Sequence, residues 1–288
     1  MAGYSKFGIE KMITGHTKII AHIGYPSEPF KSPMIYNPWF EMKRIDAVVM
    51  PLAIDAYDYP NVIRPLFKSK NIIGALITMP HKVTTTRLID KLSVTAQVAG
   101  SCNAIIRLSD GSLFGDLFDG EGFVRGVKNK GQLIAGQRAL VVGNGGVGSA
   151  IAASLAAAGV SALALYDGDA VVSHALATRL QGHYPRLVVS TGSKDTAGFD
   201  IVVNATPLGM NDGDPLPFDI GPLDVSAFVG EVVMKEQYTP LLRAAMAKGC
   251  RVQAGTDMLF EQIPAYLEFF GFGTATPDEL RKVAQLNY

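Results

Sequence analysis

Short apolar runs alternate with helix-spaced patterns along most of the chain. The runs at 18–23, 46–50 and 72–78 are bounded by turn formers and read as buried strands, with room between them for crossover helices. Beyond Pro80, residues 81–92 read as a helix, and 104–108 as a weaker strand that ends at Asp110-Gly111. The most regular part begins near Gln137. An apolar strand at 139–142 precedes a small-residue helix at 149–158, which Gly159 closes, and a second strand at 161–166. A helix near 171–180, strands at 187–189, 200–204 and about 228–234, a helix at 239–248 and a short strand at 251–253 follow. Helices over 258–270 and 277–286 end the chain. This alternation predicts an α/β protein with parallel sheets. Residues 1–122 form a first, α/β lobe, and 123–254 form a doubly wound lobe. The helices of 255–288 return to complete the first.

Between the strand at 139–142 and the helix after it stands Gly143-Asn144-Gly145-Gly146-Val147-Gly148, a Gly-x-Gly-x-x-Gly dinucleotide fingerprint of the Rossmann kind. The chemistry asks for glycine at each place. The first permits a tight turn, the second lets backbone approach a pyrophosphate, and the third lets helix and strand pack closely. The phosphates then face the helix N-terminus. Asp167 ends the next strand, 19 positions after Gly148, where a carboxylate can accept hydrogen bonds from the adenosine ribose. The first basic residues downstream are His174 and Arg179, and neither stands beside the turn. The expected cofactor is NAD, with NADP disfavoured.

Composition narrows the function. Basic and acidic residues are equal, 26 of each, which argues against a nucleic-acid binder because that needs a basic stripe. No apolar run reaches the ~18–20 residues that span a bilayer, so no membrane partner is expected. The first 18 residues lack the apolar core and cleavage pattern of a leader, and the expected location is cytoplasmic. Cys102 and Cys250 are too few for a disulfide framework and have no metal-ligand spacing, so reduced thiols and no metal are expected.

The first lobe carries further candidates. Thr78-Met79-Pro80-His81-Lys82 follows a strand, which sets Lys82 at the carboxyl end where α/β sheets hold ligands. Asn103 precedes another strand, and Asp119 stands just before the second lobe. Taken with SPMIYNPWF (32–40), GALITMPHK (74–82), GSCNAI (100–105), GDLFDGEGF (115–123), GNGGVGSA (143–150), NATPLGM (204–210), TPLL (239–242) and GTDMLFEQ (255–262), the chain resembles the shikimate/quinate dehydrogenase family over nearly its whole length.

The resemblance implies a substrate domain, a Rossmann domain and a cleft between them. It implies reversible hydride transfer between a nicotinamide cofactor and a ring hydroxyl of shikimate or a related cyclic polyol carboxylate. Lys82 and Asp119 match the family's catalytic pair, and Ser32, Thr78, Asn103 and Gln262 match its substrate contacts. Asn204, Thr206 and Met210 fall in a loop beside the cofactor, and Gly255 and Met258 match positions near the nicotinamide. Removing a hydroxyl proton during hydride transfer needs a base within hydrogen-bond reach. An ammonium beside a carboxylate favours the charged form, so Lys82 and Asp119 are read as one coupled unit.

Three positions depart from the family pattern. Phe30 replaces one serine of a Ser-x-Ser-Pro motif, Leu76 replaces an asparagine, and Met234 replaces a tyrosine. Each removes hydrogen-bonding capacity and adds apolar surface around the substrate, with Phe30 itself expected in the substrate site. Quinate or another modified ring is therefore an alternative substrate. A non-catalytic NAD-dependent metabolite sensor is a second alternative, which retention of both Lys82 and Asp119 disfavours. A monomer or homodimer is expected.

Overall fold

The computed structural model describes residues 12–286. The N-terminal stretch read as lacking a leader lies mostly outside the described residues.

The first lobe runs β1 (Lys18–Gly24), α1 (Pro33–Met42), β2 (Ala47–Ala53), α2 (Tyr59–Leu66), β3 (Ile72–Ile77), α3 (Lys82–Thr85), β4 (Lys91–Leu92), α4 (Val94–Ala99), β5 (Ala104–Arg107) and β6 (Leu113–Asp116). Helix α5 (Asp119–Asn129) leads into β7 (Arg138–Val142), α6 (Gly146–Ala157), β8 (Ala162–Tyr166), α7 (Ala170–His183), β9 (Val188–Thr191), β10 (Ile201–Asn204), β11 (Phe228–Glu231), α8 (Pro240–Lys248) and β12 (Arg251–Gln253). Helices α9 (Gly255–Phe269) and α10 (Pro277–Val283) follow.

The strands form two six-stranded sheets, ordered β2-β1-β3-β5-β6-β4 and β12-β11-β10-β7-β8-β9. Every pairing in the second sheet is parallel, and its order reverses between β10 and β7, the topological switch of a doubly wound sheet. The first sheet is mixed. β5 runs antiparallel to β3 and to β6. The expectation of parallel sheets throughout is corrected here, because β5 and β6 are joined by the short turn at Asp110-Gly111, which suits only antiparallel neighbours.

The helix expected over 81–92 is also corrected. Only α3, one turn, is helical, and Lys91–Leu92 pairs with β6 instead. The run Thr84-Thr85-Thr86 loses side-chain freedom in a helix, and Thr85 and Thr86 bond backbone carbonyls with their hydroxyls. Strand β11 stops at Glu231 rather than at 234, and α6 begins at Gly146, three residues before the expected start. Helix α5 and strand β6 were not expected from the apolar pattern.

Helices α9 and α10 pack back on the first sheet. Phe260, Tyr266, Leu267, Phe270 and Leu280 share one core with Ile20, Trp39, Phe40 and Leu76. Helix α9 also lies along α5, tied to it by Arg125–Glu268 at 2.7 Å and Asn129–Glu261 at 2.8 Å. Helices α4, α5 and α6 join in the core of the second sheet, so the lobes are continuous behind the cleft.

Candidate active site

At the carboxyl end of β3 the chain turns at Thr78 and enters α3, whose first residue is Lys82. Asp119 is the first residue of α5, where the helix dipole favours a carboxylate. The Lys82 Nζ donates to Asp119 Oδ2 at 2.5 Å, and both side chains are largely shielded, with exposures of 25% and 12%. Asn103 holds this arrangement from behind. Its Oδ1 accepts the Phe118 backbone N–H at 3.0 Å, and the N–H of its neighbour Cys102 bonds the Lys82 carbonyl at 2.9 Å.

The pair lines a cavity of about 380 Å³ between β1, β3, α1 and α9. Ser32, Thr78 and Gln262 line it too, as do the departing residues Phe30, Leu76 and Met234. Asn103 does not. It is buried, and its Nδ2 has no partner. The Oε1 of Gln262 and the Nδ1 of His22 are likewise buried and unpaired. Buried polar atoms find partners as a rule, and two of these three, on His22 and Gln262, belong to side chains that line the cavity, where a polar ligand can complete the bonding.

His22 was missed by the sequence reading. The signal was present: one imidazole in a strand, KIIAHIG, that is apolar after its first residue, Lys18. Tyr36 and Tyr266 also line the cavity, and burial drives both phenols well above their ordinary range.

The glycine loop is built as its spacing demands. Gly143 has φ of +92°, and a Cβ on it would lie 2.6 Å from the Ala205 carbonyl carbon. A Cβ on Gly148 would lie 1.8 Å from the Gly143 carbonyl oxygen. By contrast, Gly145 and Gly146 face open space at the start of α6, as a phosphate cradle requires. Asn144 ties the loop together: its amide donates to the Val141 carbonyl, its Oδ1 accepts from Ser173, and its carbonyl accepts from Ser149. The partly buried Val147 packs against the core of the second sheet.

Asp167 stands at the end of β8 and accepts the backbone N–H groups of Asn144 at 2.7 Å and Asp169 at 3.0 Å. Its carboxylate is thereby fixed beside the loop. Arg179 does not approach it. Its Nε donates to the Val98 carbonyl of α4 at 2.5 Å.

Asn204 has no side-chain group left for a cofactor. Its Oδ1 accepts from Thr206 N and Oγ1, and its Nδ2 donates to the Leu208 carbonyl and to Glu231. Through these bonds it shapes the loop after β10. Glu231 anchors this network. It is fully buried, accepts from Asn204, Thr239, Val232 and Val233, and has its carboxyl raised by burial. The same loop leaves Thr206 partly open and Met210 53% exposed. Met258 is buried in core, and Gly255 fits against Val233, where a Cβ would lie 2.4 Å from its carbonyl oxygen. Among the described residues no cluster of His, Cys, Asp and Glu could hold a metal, and no helix is long and apolar enough to cross a membrane.

Residues 22–105 match the shikimate dehydrogenase substrate binding domain, and 124–180, the glycine-loop unit, match the ThiF family. The chain is 34% identical over 278 residues to shikimate dehydrogenase (NADP(+)) of Rhodospirillum rubrum, covering 94% of this chain and 98% of that one. The chain belongs to the shikimate dehydrogenase family. Shikimate 5-dehydrogenase of Listeria monocytogenes, solved with shikimate and NAD, is 26% identical with a TM-score of 0.88, covering 96% of this chain and 99% of that chain. Quinate dehydrogenase of Corynebacterium glutamicum, solved with NAD, is 26% identical with a TM-score of 0.80, covering 93% and 98%. The protein is thus a shikimate dehydrogenase-like oxidoreductase with the family's two-lobed architecture.

Proposed function

We propose that this protein reversibly oxidises a ring hydroxyl of shikimate or a closely related cyclic polyol carboxylate, with Lys82 and Asp119 as its catalytic pair. The observation that carries the reading is the 2.5 Å Lys82–Asp119 contact on the wall of the polar-lined cavity. Residues 1–122 with 255–288 serve as the substrate domain, and 123–254 as the cofactor domain. Ser32, Thr78 and Gln262 bind the polyol, Phe30 shapes its pocket, and Asn103 braces the segment bearing Asp119. The glycine loop Gly143–Gly148 takes the pyrophosphate at the start of α6, and Thr206, Met210, Gly255 and Met258 border the nicotinamide end.

A nicotinamide dinucleotide, when bound, supplies the carbon that accepts hydride from the substrate C–H. The chain supplies the proton chemistry and the alignment. During oxidation the hydroxyl proton passes to the Lys82–Asp119 unit, and in reduction the Lys82 ammonium polarises the carbonyl and returns a proton. Asp119 orients that ammonium and balances its charge. Leu76 and Met234 give the cavity an apolar wall beside the pair.

NAD is preferred in this reading. The Asp167 carboxylate can accept from ribose hydroxyls, while a 2′-phosphate would bring a second anion against it. Arg179, committed to the Val98 carbonyl, does not offset that repulsion.

The test is turnover. The protein is mixed with NAD or NADP and with shikimate, quinate and other ring polyols, and the reduced-nicotinamide absorbance is followed. Oxidation of a ring polyol carboxylate supports the reading. Cofactor binding with no turnover of any of them supports the sensor instead.

A further inference from the structure

We infer that His22 determines substrate specificity in this cleft: its imidazole, clamped against Phe30, forms a hydrogen bond with an uncharged oxygen of the substrate, a hydroxyl or a carbonyl. The inference rests on the reading of the cleft as a polyol-oxidising site and deepens it.

His22 occupies the middle of the first sheet, in register with Pro51 on β2 and Leu76 on β3. It shares a face with Ile20, two positions earlier, which belongs to the apolar core under α1 and α9. An apolar side chain at 22 would continue that core. The chain instead sets an imidazole where the core opens into the cavity, 7% exposed, with Nδ1 buried and unpaired. Leaving a polar atom in that state weakens the fold. Because this side chain stands on the cavity wall, a ligand there can supply the imidazole with a partner.

The ring is held for that task. Phe30 stacks on it with centroids 4.0 Å apart and an interplanar angle of 25°. Phe30, which departs from the family pattern, therefore orients this imidazole. Burial, helped by the charge of Lys82, holds the imidazole down to about 4, so it is neutral near pH 7. A neutral imidazole has one donor and one acceptor. It suits a hydroxyl or carbonyl and gives a carboxylate no ionic attraction. Any substrate carboxylate is left to Ser32 and the exposed Lys31, which line the same cavity.

The test uses whichever ring polyol carboxylate the native protein oxidises fastest, among shikimate, quinate and their relatives, at saturating cofactor. His22→Leu should raise KM by about 10-fold or more, equivalent to about 1.4 kcal/mol, with kcat changed less than 3-fold. The melting temperature should stay level or rise, because the unpaired atom is gone. His22→Asn, which keeps a donor and an acceptor, should recover part of the KM. An unchanged KM in both folded variants overturns the inference. So does an Asn variant no better than Leu, or failure of both to fold, since either makes the imidazole a packing group. Lys82→Ala separates the two readings. If it abolishes turnover while His22→Leu is neutral, only the His22 inference fails. If the native protein oxidises no ring polyol carboxylate, the functional reading falls and takes this inference with it.

Discussion

Lys82 and Asp119, 37 residues apart, meet at 2.5 Å because the carboxyl end of β3 and the amino end of α5 open onto the same cavity. Each element start is set by local chain, but the contact belongs to the sheet between them. Positioned proton transfer contributes about 10²–10⁴-fold. Lys82→Ala and Asp119→Asn should each lower kcat within that range in folded protein. The double variant should lose far less than the product of the two, since a coupled unit is lost once. Steady-state kinetics with circular dichroism as a folding check decides this. Independent, multiplicative losses would separate the two roles.

Asp167, fixed by two backbone N–H groups, should favour NAD over NADP by about 10-fold or more in kcat/KM, or roughly 1.4 kcal/mol. Asp167→Ser should shrink that ratio. The measurement is kcat/KM for both cofactors with one accepted substrate. A native preference for NADP refutes the role given to Asp167.

Phe30 and Leu76 replace polar partners at the cavity wall. Phe30→Ser with Leu76→Asn should raise kcat/KM for shikimate, because unmatched buried polar groups cost about 1–3 kcal/mol each. High native efficiency with shikimate, unimproved by the double change, would show that the pocket is already matched to it.

Gly148→Ala would drive a Cβ to 1.8 Å from a backbone oxygen in the loop that carries Gly143. Backbone cannot yield as a side-chain end can. The variant should lose stability by about 1–3 kcal/mol or more and bind dinucleotide poorly. Gly146→Ala adds its methyl to open space at the helix start, so it should leave the apo melting temperature nearly unchanged while weakening cofactor binding. Thermal melts with and without NAD distinguish the two.

Stability should fall as the solution is acidified from pH 6.5 towards 4. The imidazole of His22 is held at about 4 against 6.5 in the unfolded chain. Between those values the unfolded chain takes up a proton that the folded one refuses, so unfolding is favoured as pH drops. The full effect is about 3 kcal/mol. His81, also lowered by burial, acts in the same direction. Glu231 and Asp116, raised by burial, act oppositely, their destabilising charge growing as pH rises. Denaturant unfolding of native protein and His22→Leu across this range isolates the histidine as the difference between two curves. Parallel curves would remove it.

The second sheet was legible along the chain because parallel strands buried on both faces are unbroken apolar runs. The glycine loop was legible because its backbone demands glycine whatever surrounds it. Lys82, Asp119 and Gln262 could be read from the motifs that contain them. The first sheet was read less well. Residues 91–92 look helical locally, and only pairing with β6 makes them strand; β5 turns antiparallel through its connection to β6. The roles of Asn204, Glu231 and Arg179 were hidden for the same reason. Each is set by its partner, and those partners lie in the loop after β10, in β10 and at the residue that caps α8, and in α4. His22 shows the division most clearly. Its sequence neighbours mark it as strand, but a strand has two faces. Only the packing of α1, α9 and Phe30 decides that this imidazole meets the cavity.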